Sequence, residues 1–256
     1  MPHKNNFYIM KKLIFIITLF YSLTAGAQYK FDIMCSYEMC LNFDTPDFYD
    51  CKLYSSKKNS LFIYRNLISS ADSLNQIEEL ADDYYKVKIT DDRTYNIFTD
   101  EDSIKSVNGM IGKEDMCVII EERPFINWDI TDETKKIGNY DCIKAIAEFR
   151  GRTYYAWFSP EIPMMFGPYK FHGLNGVIFE VYDQTREVSF RLKGFSFNNY
   201  TIPEIDYSGY LVMTQKEYIS KLKSAFSEIG NRVASRIDKK FTIEVSSPRI
   251  KSIELE

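Results

Sequence analysis

Along much of the chain, apolar and polar residues alternate with a period of two. Over Tyr85–Thr90, Tyr85, Val87 and Ile89 fall on one side, with Lys86, Lys88 and Thr90 on the other. Ile126, Trp128 and Ile130 oppose Asn127, Asp129 and Thr131 in the same way. Val188, Phe190 and Leu192 oppose Ser189, Arg191 and Lys193, and Phe241, Ile243 and Val245 oppose Thr242, Glu244 and Ser246. Such alternation predicts antiparallel strands with one face buried and one wet. The apolar and aromatic runs Tyr29–Phe43, Ser60–Tyr64, Met116–Glu122, Asp141–Phe149, Thr153–Ser159 and Val177–Tyr182 are further strand candidates. Gly151-Arg152, between two of them, predicts a tight hairpin.

The period changes to 3.6 in two places. Thr214-Gln215-Lys216-Glu217 is a capping box, with Met213 and Tyr218 at the staple positions. Tyr218, Ile219, Leu222, Ala225, Phe226, Ile229 and Val233 then share one helical face. A weaker helical pattern runs from Leu74 to about Tyr84, with Asp72 or Ser73 as its cap. The expected fold is α+β and mainly antiparallel β. It is a large curved sheet or open half-barrel with a long amphipathic helix packed on it. No repeat or Pro/Gly-rich linker divides the chain, so residues 28–256 are expected to form a single domain.

The N-terminus reads as an address. Lys11 and Lys12 precede an apolar run from Leu13 to Leu23 that ends at Ala25-Gly26-Ala27. This is a signal-peptide pattern over residues 1–27, with cleavage leaving Gln28 first. The run is short for a membrane span, which needs about 20 residues. No cysteine follows it to carry a lipid, so the expected location is the periplasm or the medium. Removing residues 1–27, with three lysines and no acid, takes the formal charge from −4 to −7. An acidic balance argues against nucleic-acid partners.

Export changes the reading of the five cysteines, Cys35, Cys40, Cys51, Cys117 and Cys142. They can oxidise there, and an odd number leaves one over. None is spaced C-x-x-C. Cys40 and Cys51 flank a segment with a turn signal, Asp44-Thr45-Pro46-Asp47, and are the favoured disulfide pair.

Between Trp128 and Ile178 the sequence becomes dense in Gly, Pro and aromatic residues. It reads Gly138-Asn139-Tyr140-Asp141-Cys142, Phe149-Arg150-Gly151-Arg152, Ala156-Trp157-Phe158 and Glu161-Ile162-Pro163. Gly167-Pro168-Tyr169-Lys170-Phe171-His172-Gly173-Leu174-Asn175-Gly176-Val177-Ile178 follows. This order of motifs resembles the GLPGLI family of exported bacterial envelope proteins, named for the segment matching Gly173–Ile178. The closing Ile253-Glu254-Leu255 is also typical of that family. The resemblance implies a structural role for Gly138, Tyr140, Cys142, Gly151, Pro163, Gly167, Pro168, Gly173, Asn175 and Gly176. It implies no known activity. The family's proline is Asn175 here, and its second leucine is Val177. Asn tolerates positive φ, so Asn175-Gly176 is expected to turn tightly.

Candidate chemistry is sparse. His172 is the only histidine after residue 27, and no G-x-S-x-G elbow accompanies it. A local hydrogen bond is the favoured reading of it. Asp91-Asp92 and Asp100-Glu101-Asp102 lack the glycine of a calcium loop and read as solvated turns. Glu121-Glu122 and Glu161 could furnish an acid/base pair, but spacing in sequence does not set carboxylate separation. Arg152, Trp157, Lys170, Phe171 and His172 form the candidate surface for a ligand or partner, with Trp157 and Phe171 at a pocket mouth. No cofactor or metal motif is present. The expected function is a non-enzymatic binding module for a lipid-like apolar ligand or an envelope protein partner. The alternative is an envelope hydrolase using His172 or a carboxylate pair.

Overall fold

The computed structural model describes residues 27–43, 46–67, 76–81, 84–88, 94–109, 116–236 and 253–254. Its longest ladder grows from strand β1 (Gln28–Asn42), which buries Phe31, Ile33, Cys35, Tyr37 and Met39 at every second position. That period lets β1 carry a sheet with an apolar inner face. β2 (Pro46–Ser55) and β13 (Val188–Pro203) flank it. Beyond β2 come β3 (Ser60–Asn66), β6 (Thr94–Thr99), β7 (Ser103–Gly109), β8 (Met116–Glu122) and the short β14 (Leu211–Met213). Beyond β13 come β12 (Val177–Asp183), β11 (Arg152–Ser159), β10 (Tyr140–Phe149) and β9 (Asp129–Ile137). The neighbours in this twelve-stranded sheet are antiparallel, except for the parallel pair β14 and β8. β4 (Gln76–Ala81) and β5 (Tyr84–Lys88) form a separate hairpin.

The sheet is open but strongly curled. β8 and β10 stand second from opposite ends of the strand order. Even so, Arg150, in the turn after β10, forms an ion pair with Glu121 of β8. The two flanks therefore meet through side chains, while edge strands β14 and β9 do not pair with each other. Register shifts in the β1–β13 ladder, between Phe31 and Ile33 and between Ser36 and Tyr37, are bends of the kind that help a sheet curl.

Much of the core inside the curl comes from the loop of residues 160–176, and the expected fold class is corrected. Among the described residues the chain is nearly all β, not α+β, and no long amphipathic helix covers the sheet. Residues 160–176, between β11 and β12, fold back on themselves through an isolated bridge between Phe166 and His172. Phe171 there is 2% exposed and packs among the rings of Trp128, Phe149, Tyr154 and Phe190. Burying a side chain of that size stabilises the fold by about 1.5–3 kcal/mol. Helix α1 (Gln215–Arg236) does carry the capping box. Glu217 Oε2 accepts from Thr214 N at 2.7 Å, and Thr214 Oγ1 from Glu217 N at 3.3 Å. The helix meets the sheet at β8, next to edge strand β14, where Tyr218 packs on Cys117, Ile119 and Met213. None of its described side chains is fully buried. Two residues of the expected stripe, Tyr218 and Leu222, line a pocket with Ile97 and Ile119 of the sheet.

Other expectations change as well. The Leu74–Tyr84 pattern forms strand β4, because pairing with the alternating β5 segment overrides a weak helical preference. Residues 123–128 precede β9 as an extended loop, so Ile126 is buried while Ile130 is exposed. The β10–β11 turn is made by Arg150 and Gly151, both in left-handed backbone (φ 51° and 77°), one residue earlier than expected. Cys40 faces Phe48 and Cys51 faces Tyr37 across the β1–β2 ladder. The two cysteines are thus three positions apart and on opposite faces, and all five cysteines are free thiols. Residues 1–26 of the expected signal peptide, residues 241–246 and Asp91-Asp92 lie outside the described residues. No described helix is long and apolar enough to cross a membrane.

Candidate functional site

The Gly167–Phe171 turn builds the site. Gly167 N donates to Phe171 O at 2.7 Å and Phe171 N to Pro168 O at 3.1 Å, closing a tight loop on the concave face. A Cβ on Gly167 would come within 2.5 Å of Ile178 Cδ1 and 3.2 Å of the Phe171 carbonyl oxygen, so a side chain there would have to push the end of Ile178 aside. At the tip Tyr169 adopts left-handed backbone (φ 56°), unusual for an aromatic residue. This conformation sends Tyr169 and Lys170 inward together.

Around them lies a buried set of charges drawn from four parts of the chain. Lys170 Nζ lies 2.5 Å from Glu121 Oε1 and 2.6 Å from Glu254 Oε1. Glu121 also pairs with Arg150, whose Nε is 3.9 Å from Glu254 Oε2. The Tyr169 hydroxyl donates to Glu254 Oε1 at 2.6 Å, and Gln215 Nε2 donates to Oε2 at 3.3 Å. Burial, and then the charge of Glu254, holds the Tyr169 hydroxyl well above the ordinary tyrosine pKa, so it stays a donor. Lys170 and Glu254 side chains are 3% and 2% exposed. Two cations against two carboxylates leave this set neutral, the condition under which buried charge is tolerated.

Beside the charges opens a pocket of about 270 Å3. Tyr49, Tyr64, Tyr95, Tyr169 and Tyr218 line it, with aliphatic wall from Met39, Leu41, Ile97, Ile119, Leu222 and Ile253. Burial raises the Tyr64 hydroxyl pKa above its ordinary value. Two polar atoms on residues lining the pocket, Ser106 Oγ and Gln215 Oε1, are buried without a hydrogen-bond partner among the described residues. Each such group costs about 1–3 kcal/mol if nothing meets it. An apolar chamber with unmet polar atoms has the chemistry of a small-ligand site.

Of the five candidate binding residues, only Lys170 borders this pocket. Arg152 holds the β12–β13 hairpin, with Nη1 2.7 Å from Asp183 and 2.9 Å from Glu187. Trp157 is buried beneath Lys135, whose Nζ sits 4.3 Å from its ring centre. Phe171 is in the core, so neither aromatic borders the mouth. His172 Nδ1 lies 2.9 Å from Lys170 O and Nε2 2.7 Å from Pro124 O. With both nitrogens facing carbonyl oxygens, the ring has no free nitrogen to serve as a base. Burial lowers its pKa, although the two carbonyls pull the other way. Glu161 accepts from Asp141 N at 2.9 Å, while Glu121 is held by Lys170 and Arg150. Asp100 Oδ1 accepts from Asp102 N and Ser103 N at 3.0 and 2.7 Å, so that acidic cluster is a closed turn.

The motif residues sit in different surroundings. Gly173 has φ 91° beside Trp128, whose Nε1 donates to His172 O at 2.9 Å. A Cβ on Gly176 would fall 2.2 Å from Ser159 O, so the chain passes β11 only without a side chain there. Asn175 is exposed and not in left-handed backbone, so the turn does not use the conformational tolerance expected of it. Sequence reading missed Ser106, Gln215 and the pocket tyrosines. It named Glu254 only as part of a closing motif. The one available signal was Arg150 in a turn position that ordinarily takes Asn or Gly.

No protein-family model and no curated protein matches the chain. Among solved structures it is similar to PNGF-II in two crystal forms, space groups C2 and P21, each at 12% identity and TM-score 0.47. The match covers 78% of this chain and 33–34% of PNGF-II, so the chain spans about a third of that protein's length. A likeness this distant carries no argument about function.

Proposed function

We propose that this chain is an exported envelope protein of the GLPGLI family that binds a small ligand inside its curled sheet, without catalysing a reaction. Residues 1–27 act as its signal peptide. The ligand has an apolar body and a polar end. The observation that carries this reading is the tyrosine-lined chamber whose Ser106 hydroxyl is buried and, among the described residues, unmet. The tyrosines supply flat apolar faces at low entropic cost, and the unmet polar atoms orient the occupant. The site is Lys170, Ser106, Gln215 and the pocket tyrosines, in place of a Trp157–Phe171 mouth. The test is titration of the folded protein with anilinonaphthalene sulfonate. Saturable one-to-one enhancement that is lost in Ser106→Leu supports the reading. No saturable binding by the folded protein overturns it.

A further inference from the structure

Ile253 and Glu254 belong to the chain, yet they sit in the chamber as a ligand would. Ile253 joins the aliphatic wall, and the Glu254 carboxylate takes Lys170 Nζ at 2.6 Å, the Tyr169 hydroxyl at 2.6 Å and Gln215 Nε2 at 3.3 Å. The socket comes from elsewhere: the β10–β11 turn, the Gly167–Phe171 turn and the first residue of α1. Its parts have their own supports. Lys170 is held by Glu121, and the Tyr169 ring stacks on Phe190 at 6.2 Å.

Charge fixes what the socket accepts. Without Glu254, Lys170 and Arg150 would face Glu121 alone among the described residues, leaving one buried positive charge unmatched. That imbalance calls for one anion. Tyr169 and Lys170 donate to the same oxygen, Oε1, while Gln215 donates to the other, a division that suits a carboxylate. An aliphatic group adjoins it at the position of Ile253.

We infer that the socket is an aliphatic-monocarboxylate site, and that Ile253–Glu254 is an internal placeholder which such a ligand displaces. This rests on the binding reading above and adds the chemical class of the ligand. In exchange the Glu254 carboxylate moves to water, and the ligand carboxylate takes its donors. No bond is made or broken, and the buried charge stays balanced.

Decanoate and decanol are the probes, with calorimetry on the full chain and on Glu254→Gln. The variant removes the competing anion, so decanoate should bind it at least about tenfold more tightly than wild type, with decanol little changed. On the wild-type chain, decanoate but not decanol should speed amide exchange at residues 253–254. That second measurement decides the matter if the variant does not fold. Decanol and decanoate binding equally, with no change in exchange, would overturn the placeholder and leave the pocket standing. Failure of both probes to bind either protein would remove the pocket reading itself.

Discussion

The Tyr169 hydroxyl donates a 2.6 Å hydrogen bond to Glu254 Oε1, joining residues 85 positions apart inside a buried ion cluster. The bond ties the end of the chain to the motif turn. Tyr169→Phe keeps the ring and loses the donor to a charged acceptor, at a cost of about 1.5–3 kcal/mol. Glu254→Gln breaks the buried pairing itself and should cost about 3–5 kcal/mol. Urea unfolding of the two variants measures the order. A Glu254→Gln variant as stable as wild type would show that the cluster does not hold the fold.

Ser106 should trade stability against binding. Its hydroxyl is 4% exposed by residue and unmet among the described residues. Ser106→Ala should therefore raise stability by about 1 kcal/mol. It should also weaken the ligand that would otherwise use the hydroxyl. Thermal unfolding together with dye titration reads both effects. A destabilised variant with undiminished binding would place the hydroxyl outside the site.

The cysteines should behave as buried thiols. Cys35, Cys51, Cys117 and Cys142 are each 0% exposed, and Cys40 is half-buried. Burial pushes the Cys35 thiol up to about 12 and the Cys142 thiol up to about 11, which suppresses the reactive thiolate. Maleimide at neutral pH should label Cys40 in the folded protein and all five only after unfolding. A mass two hydrogens short in the purified chain would mean that a disulfide forms against the register seen here.

His172 should make the fold acid-sensitive. Burial lowers its folded pKa below the ordinary 6.5, so the unfolded chain binds the proton more readily. The stabilising difference is present above pH 6.5 and is lost as pH falls through the lowered folded value. Comparing wild type with His172→Gln between pH 7 and pH 5 isolates that slope from other groups. An NMR titration placing the folded pKa above 6.5 would show that the Lys170 and Pro124 carbonyls outweigh burial.

What could be read in advance followed from local periodicity. Met116–Glu122 and Val177–Tyr182 alternate or run apolar, and they became β8 and most of β12. β2 was hidden because Asp44-Thr45-Pro46-Asp47 looks like a turn, whereas Pro46 opens the strand, where no ladder donor is needed. The helix was visible in its capping box, but its packing was not. That depended on whether other chain already filled the concave face. The density of Gly, Pro and aromatics around Phe171 read as a recognition surface, and here it is the core loop that the sheet curls around. Glu254 could not be singled out among 36 acids, since its partners lie on distant turns that only the folded sheet brings together.

Native mass spectrometry of the protein purified from its own cells tests the central claim most directly, beside a Leu222→Trp variant. Leu222 lies on the pocket wall but on a helix none of whose described side chains is fully buried, so the larger ring should block the chamber without disturbing the core. The wild-type protein should carry one small amphiphilic molecule per chain, and the variant none. An empty wild-type protein that also fails to take up added decanoate or decanol, or equal loading of both proteins, would contradict a binding function for this chamber.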